Sequence, residues 1–531
     1  MKIRSFIAIL FFNTVLSYAQ VIPDWASNYG SPQNKNESKA ICVDNEGNII
    51  VTGKSYTDST NYDYLTIKYD KDGQELWVKR YNSGNNGVDF PTSIVVDDSN
   101  NVFVTGYCKN IDQVSDLVTI KYSQIGIEKW VKKYSGPGNE DYSAIIISDN
   151  SGKIYTACTT NDKSGANIAV NKFDTNGNIL FSKLFLYDQT NQNEFISLFS
   201  SDKKGNLYLS CSSLFDKTLI IKLDSTGNQI KQFLLPLNRG FTTLDEMGSI
   251  LLISGEPDGS IKMLKSDTSG LVIWSSDIWP STDLGSASSV IGSDCISDGS
   301  GNFYGGGDAY NRTSQSSGLY FSFLVKYNAS GELLWARRHQ PKPSSYFTYK
   351  LLKDPIGNII SFGQGDNGFN IIKYDSLGNE KWVGNYKDIK YSQGEDIAID
   401  NLGNIFITGY SYDGYNDDSK SIFTTIKISY GNSTKVVSDV TSNPQNIILD
   451  QNYPNPFNPT TKIDFNIIKQ SNVEVDIYDL LGKKIDVVLN ERKSPGFYSI
   501  IWNGSNFSSG IYFIILKTEN GIQTKKMNLI K

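Results

Sequence analysis

With 531 residues and net charge −6 (50 Lys and Arg against 56 Asp and Glu), the chain is long enough for several domains and lacks the basic excess that nucleic-acid binding requires. Tyr (31), Phe (26) and Gly (45) are plentiful against 15 Pro, a composition of many short strands joined by turns. A single His excludes a multi-His zinc centre, and five Cys, an odd number, make a poor disulfide framework.

Residues 1–19 read as a secretory signal peptide. Lys2 and Arg4 form its positive end, Phe6 to Val15 is largely apolar, and Ser17-Tyr18-Ala19 places small residues for cleavage before Gln20. The apolar run is short for a membrane anchor, and no later segment approaches the ~20 apolar residues of a transmembrane helix. Cleavage removes two cations and no acid, taking the charge from −6 to −8.

Between Ala40 and Lys427 one pattern recurs eight times. An Asp opens a four-residue turn, a small residue follows nine positions on, and an Ile/Val/Leu-rich segment then ends in Lys. The Asp positions are Asp44, Asp97, Asp149, Asp202, Asp245, Asp298, Asp354 and Asp400. The Lys positions are Lys68, Lys121, Lys172, Lys222, Lys265, Lys326, Lys373 and Lys427. A period of roughly fifty residues built from short alternating segments predicts a β-propeller, one blade per repeat.

Unit one shows the plan. Strands are expected at Ala40 to Val43, Asn48 to Gly53, Tyr64 to Tyr69 and Glu75 to Tyr81, with Asp-Gly turns after the first and third. Cys158 and Cys211 fall on the small-residue position that Gly53 and Gly106 hold elsewhere, which favours packing over a disulfide. Four residues after each third–fourth turn Gly come Trp77, Trp130, Phe181, Lys231, Trp274, Trp335 and Trp382. Rings recurring within a strand point to packing between blades rather than to sugar stacking, and Lys231 marks unit four as the weakest blade. The eighth unit lacks a Trp strand, and Trp25 to Tyr29 has the missing form, so the N-terminal segment is expected to close the ring. The repeated Lys lies on the same side of the blade as the Asp turn and predicts an Asp–Lys or Lys–carbonyl staple in every blade.

These units resemble the SBBP (seven-bladed β-propeller) repeat family. The matching residues are Val43-Asp44, Gly47-Asn48, Thr52-Gly53 and Ile67-Lys68-Tyr69-Asp70. The likeness is strongest in units one, two, seven and eight. Eight blades are counted here where the family name implies seven.

A polar linker, 431–446, follows the propeller of 20–430. Residues 447–531 then read as a small Ig-like β-sandwich of about seven strands. This segment is similar to the type A C-terminal sorting domain of the type IX secretion system of Bacteroidota. The matching residues include Asn452, Pro454, Asn455, Pro456 and Phe457, then Ile477-Tyr478-Asp479 with Gly482, then Gly510, Lys525 and Lys526. The resemblance implies export through the periplasm and outer membrane, partnership with the type IX machinery, and attachment at the cell surface or release.

The long connections of every blade emerge on one face, where function in repeat proteins concentrates. Just before the first strand of units two to four come Asp89, Asp141 and Glu194, with Glu37 nearby in unit one. Ringing the channel mouth, these acids could bind cations or sugar hydroxyls, or simply hold local backbone. The stretches Asp58 to Asp63 and Asp413 to Asp418 are rich in Asp and Asn and could hold Ca²⁺, though they match no spaced ligand motif. His339 sits at the end of a fourth strand with no partner pattern around it. The expectation is an exported, monomeric all-β protein that binds or adheres to a glycan or surface protein, without a cofactor and without catalysis. A carbohydrate-active hydrolase or lyase using Asp/Glu on the variable face is the alternative, and a structural component of the cell envelope is another.

Overall fold

The computed structural model describes residues 19–531 apart from 21–22, 31–34, 85–86, 111–113, 138–139, 150–151, 163–164, 189–195, 214–216, 238–239, 246–247, 257–258, 279–288, 313–317, 340–345, 366–367, 387–390, 413–420, 430–446, 450–451, 453–454, 468–469, 481, 495 and 519–520. The signal segment 1–18 and the expected linker 431–446 therefore lie outside the described residues. Two compact units make up the chain, Met1–Ser438 and Asp439–Lys531. The described residues contain strands and turns and no helix long and apolar enough to cross a membrane.

In blade one, Asn36–Val43, Ile49–Thr57, Asn61–Tyr69 and Glu75–Tyr81 pair antiparallel in chain order. The same plan repeats over 88–134, 140–188, 196–235, 241–278, 289–339 and 346–386. Blade eight takes three strands from 391–428 and its fourth from Trp25–Tyr29, with Trp25 opposite Lys427. Among the described residues the ring thus has eight blades, closed by the strand Trp25–Tyr29. One further pairing is that Ala19–Gln20 lies parallel to the fourth strand of blade seven, Ala19 opposite Gly384.

The Asp turns form because the side chain does the work of a second backbone. Asp44 Oδ1 accepts the N–H of Glu46 at 2.9 Å and of Asn48 at 2.8 Å, while Gly47 N donates to Asp44 O at 3.0 Å. Lys68, fully buried, reaches Asp44 Oδ2 at 2.7 Å and also donates to Gln124 O in blade two at 3.3 Å. Lys121, Lys172, Lys326 and Lys427 likewise donate to Thr175 O, Ser225 O, Ser376 O and Lys71 O of the following blade. The ion pair to the Asp turn recurs at Lys265–Asp245 and Lys373–Asp354. The repeated Lys is thus a staple between blades as well as within them.

The repeated ring shares that acceptor. Trp77 Nε1 donates to Gln124 O at 3.0 Å, and its indole lies on Gly126, whose φ of +80° and lack of a Cβ let the turn approach. Trp25 does the same on Gly73, Trp130 on Gly177, Trp274 on Gly331 and Trp335 on Gly378. Lys231 is paired with Lys222 as the repeat requires, and Phe233, two residues on, supplies the ring that packs on Gly270. Blade four therefore keeps the contact with a displaced side chain. Blade eight has no third–fourth turn, because its fourth strand comes from the other end of the chain. Trp382 of blade seven accordingly has its Nε1 buried without a hydrogen-bond partner among the described residues.

The propeller core lies between blades rather than within them. Ile50, Tyr64 and Trp77 pack with Val102, Val104, Ile120 and Tyr122 of blade two, and Phe406 and Phe423 of blade eight pack with Ile49, Val51 and Ile67 of blade one. The closing seam is thus as apolar as its neighbours. In seven blades the innermost strand carries a register shift, as between Ser38 and Ala40, that drives its carbonyl toward the second strand. A Cβ on Gly53 would sit 2.1 Å from Glu37 O, which is why the repeat keeps a small residue there. None of the five Cys forms a disulfide, and Cys158 and Cys211 lie buried at this position.

The second unit is a sandwich of a three-stranded sheet (Ile447–Leu449, Thr460–Ile467, Gly496–Asn503) on a four-stranded one (Ser471–Asp479, Lys484–Lys493, Gly510–Thr518, Gly521–Leu529). Phe457, Phe465, Val475, Ile477, Trp502, Ile514 and Leu516 fill it.

Candidate functional site

Tight turns gather at one end of every blade, so the connections between second and third strands and between blades share the opposite face. Asp89 and Asp141 lie there, each as the second residue of its blade's first strand (Val88–Val96, Glu140–Ser148) rather than ahead of it. Both are buried. Asp89 accepts the Ser83 N–H at 2.7 Å and the Ser83 hydroxyl at 2.6 Å, and Asp141 accepts the Gly136 N–H at 3.1 Å. Each carboxylate therefore holds the loop arriving from the preceding blade. Burial pushes the Asp89 carboxyl up, and Asp141 up to about 6. Glu194 lies outside the described residues.

Glu37 does not correspond to these acids. Asn36 stands opposite Ser55 as Asp89 stands opposite Cys108 and Asp141 opposite Thr160. Glu37 is therefore the counterpart of Phe90 and Tyr142, one residue further on and on the other face of the strand. That face opens into a cleft of about 260 Å³ between blades one and eight. Lys35, Glu37, Lys54 and Tyr62 line it from blade one, and Tyr410, Tyr412 and Ser421 from blade eight.

Backbone contacts across the seam hold its walls. Asn36 N donates to Ser421 O at 3.0 Å, Ser38 Oγ to Gly409 O at 2.6 Å, and Lys35 forms a parallel bridge with Ser421. Lys54 Nζ sits 2.8 Å from Glu37 Oε2, 4.9 Å above the Tyr62 ring and 4.3 Å above that of Phe90. Tyr56 meets Tyr62 edge-on at 5.3 Å, and Phe90 stacks on Tyr107 at 5.5 Å, extending the aromatic surface onto blade two. Burial first, then the Glu37 charge, pushes the Tyr62 phenol up to about 12, so it stays a neutral donor and acceptor.

The other candidates are occupied locally or fall outside description. Asp63 accepts from Arg80 at 2.8 Å, Thr60 at 2.8 Å and Asn82 at 2.9 Å, while 413–418 lie outside the described residues. Among the described residues no group of three or more His, Cys, Asp and Glu is placed to hold a metal ion. His339, buried, pairs through Nδ1 with Glu380 at 3.0 Å.

In the sandwich, Asn452 Nδ2 donates to Thr461 Oγ1 at 2.9 Å. Asn455 Oδ1 accepts the Asn528 N–H at 2.8 Å, and Phe457 exchanges backbone bonds with Asn528 and Ile530 at 3.0 and 2.9 Å. This motif clips the last strand to the domain's first residues, with Pro456 left exposed and Pro454 outside the described residues. Gly482, at φ +78°, closes the Asp479 turn; Gly510 opens the strand opposite Leu529; Lys525 and Lys526 lie in the last strand, Lys526 exposed.

Residues 451–531 match the model of the secretion system C-terminal sorting domain, and residues 76–110 and 390–416 match that of the SBBP beta-propeller repeat. The protein is an exported β-propeller, two segments of which match the SBBP repeat. Its tail is the sorting domain of type IX secretion, which sends it to the cell surface or the extracellular space. No curated protein matches the chain. Among solved structures, Sqt1 of Chaetomium thermophilum is 12% identical at a TM-score of 0.48, with 75% of this chain and 96% of that one covered. The polysaccharide lyase Uly1 is 10% identical at 0.43, covering 74% and 89%, and a PL25 ulvan lyase 12% identical at 0.41, covering 77% and 99%. At these identities and scores no activity follows from the likeness.

The sequence reading did not single out Lys35, Lys54, Tyr62, Tyr410 or Tyr412. The signal was present, since unit one alone puts a Lys beside its small-residue position and the predicted closure makes units one and eight neighbours.

Proposed function

We propose that the protein is a glycan-binding module without chemistry of its own, delivered to the cell exterior by its tail. The cleft between blades one and eight carries this reading. Sugars present apolar C–H faces and peripheral hydroxyls, and the cleft offers Tyr62, Tyr410 and Tyr412 beside the Lys54–Glu37 pair and the Tyr62 phenol. Its volume, about 260 Å³, is below the roughly 300–1,000 Å³ of pockets that enclose a whole ligand. It suits a sugar residue or two of a longer chain that runs on across the face. A hydrolase would need two carboxylates converging on one substrate, whereas Asp89 and Asp141 are buried and hold backbone.

A glycan array probed with the purified chain, with and without Ca²⁺, tests the proposal. The expected result is saturable binding with no cleavage of the bound polysaccharide. Tyr62→Ala and Tyr410→Ala should each weaken binding at least tenfold. Released oligosaccharides would favour the enzyme instead, and a blank array would turn the search to protein ligands.

A further inference from the structure

Among the described residues the charges in the cleft do not balance. Lys54 and Glu37 neutralise each other at 2.8 Å. Lys35 has its backbone fixed on both sides, its carbonyl accepting the Tyr56 N–H at 2.9 Å and its neighbour Asn36 donating to Ser421 O at 3.0 Å. Lys35 lines the same cleft, and no carboxylate pairs with its ammonium among the described residues. Among the described residues one cation without a carboxylate partner thus stands within a half-enclosed aromatic site, on a chain whose net charge is −6. The excess positive charge is local, because the protein as a whole repels polyanions.

We infer that the cleft takes an anionic sugar, with a carboxylate or sulfate ester meeting Lys35 while the ring lies against the tyrosines. This rests on the glycan-binding reading above and specifies its ligand. An ammonium on a flexible stem accepts either anion, so the shared chemistry is a single negative group on a pyranose. Glu37 is the opposing element. It holds Lys54 away from the ligand and places a carboxylate where an anion would otherwise find two cations.

The test uses the full chain with two matched pairs of probes: a polyuronate with its carboxyl-reduced form, and a sulfated galactan with its desulfated form. The expected result is at least tenfold tighter binding of one charged member over its neutral partner, and which pair shows it tells carboxylate from sulfate. Lys35→Gln should abolish that preference, the charged member falling to the affinity of its neutral partner, with the melting temperature unchanged. Glu37→Gln should strengthen binding of the charged member several-fold by freeing Lys54, a gain that a merely structural role would not produce. Equal binding of charged and neutral members, or a preference that survives Lys35→Gln, overturns the inference while leaving glycan binding intact. Failure of all four probes to bind overturns this assignment together with the reading beneath it.

Discussion

Asp308 shows what a single buried carboxylate costs this fold. It lies on the second strand of blade six, accepts the Thr348 N–H of blade seven at 2.6 Å, and is pushed up to about 7 by burial. In the unfolded chain it titrates near 4. Between those values the folded state binds the extra proton, so stability falls as pH rises from about 4 to about 7 and the full cost is present above that. Asp308→Asn keeps an oxygen acceptor for Thr348 and removes the charge. The variant should melt higher than the parent at pH 8, by an amount on the order of 1–3 kcal/mol, and the gap should close as pH falls toward about 4. A pH-independent difference in thermal denaturation would show that the carboxyl is not the titrating group. Asp141 and Asp294, both pushed up to about 6 by burial, act in the same direction over a lower window.

At the scale of the blade, the unit of construction is a Gly-closed turn between the third and fourth strands, presented to the previous blade's Trp and Lys. The turn contributes one carbonyl that both side chains share, as Gln124 O does for Trp77 and Lys68. Blade eight has no such turn, so Trp382 is the natural control. Trp77→Phe keeps the ring but loses the bond to Gln124 O, and should cost about 1–2 kcal/mol in chemical denaturation. Trp382→Phe removes an N–H that has no partner among the described residues and should be within about 0.5 kcal/mol of neutral. Equal losses at the two sites would mean that ring size, rather than the turn carbonyl, is what the repeat retains.

The whole molecule joins two units with separate hydrophobic cores and separate tasks. The propeller's contacts run from blade to blade, whereas the sandwich fills itself with Phe457, Trp502 and their neighbours. The Asn452–Phe457 stretch is a folding element, because Asn455 and Phe457 pin the final strand. Deleting 451–531 should therefore leave a folded propeller by circular dichroism while abolishing its appearance at the cell surface. Surface labelling of the truncated chain in its own host at the parental level would contradict a sorting role for the tail.

Much of this was legible in the residues because it depends on local chemistry. An Asp followed three residues on by Gly, or by Asn100 in blade two, makes the same turn, so eight Asp positions announce eight blades, and Trp25 to Tyr29 announces the strand that closes them. The Asn452–Phe457 stretch identified the tail in the same way. What the strands face was decided only by tertiary structure. The side-chain period of a strand is two, so placing Glu37 beside Asp89 rather than beside Phe90 is a one-residue error that exchanges a buried loop anchor for a cleft wall. Lys35 and Ser421 become neighbours only when the ring closes, at a separation in sequence that no local pattern spans.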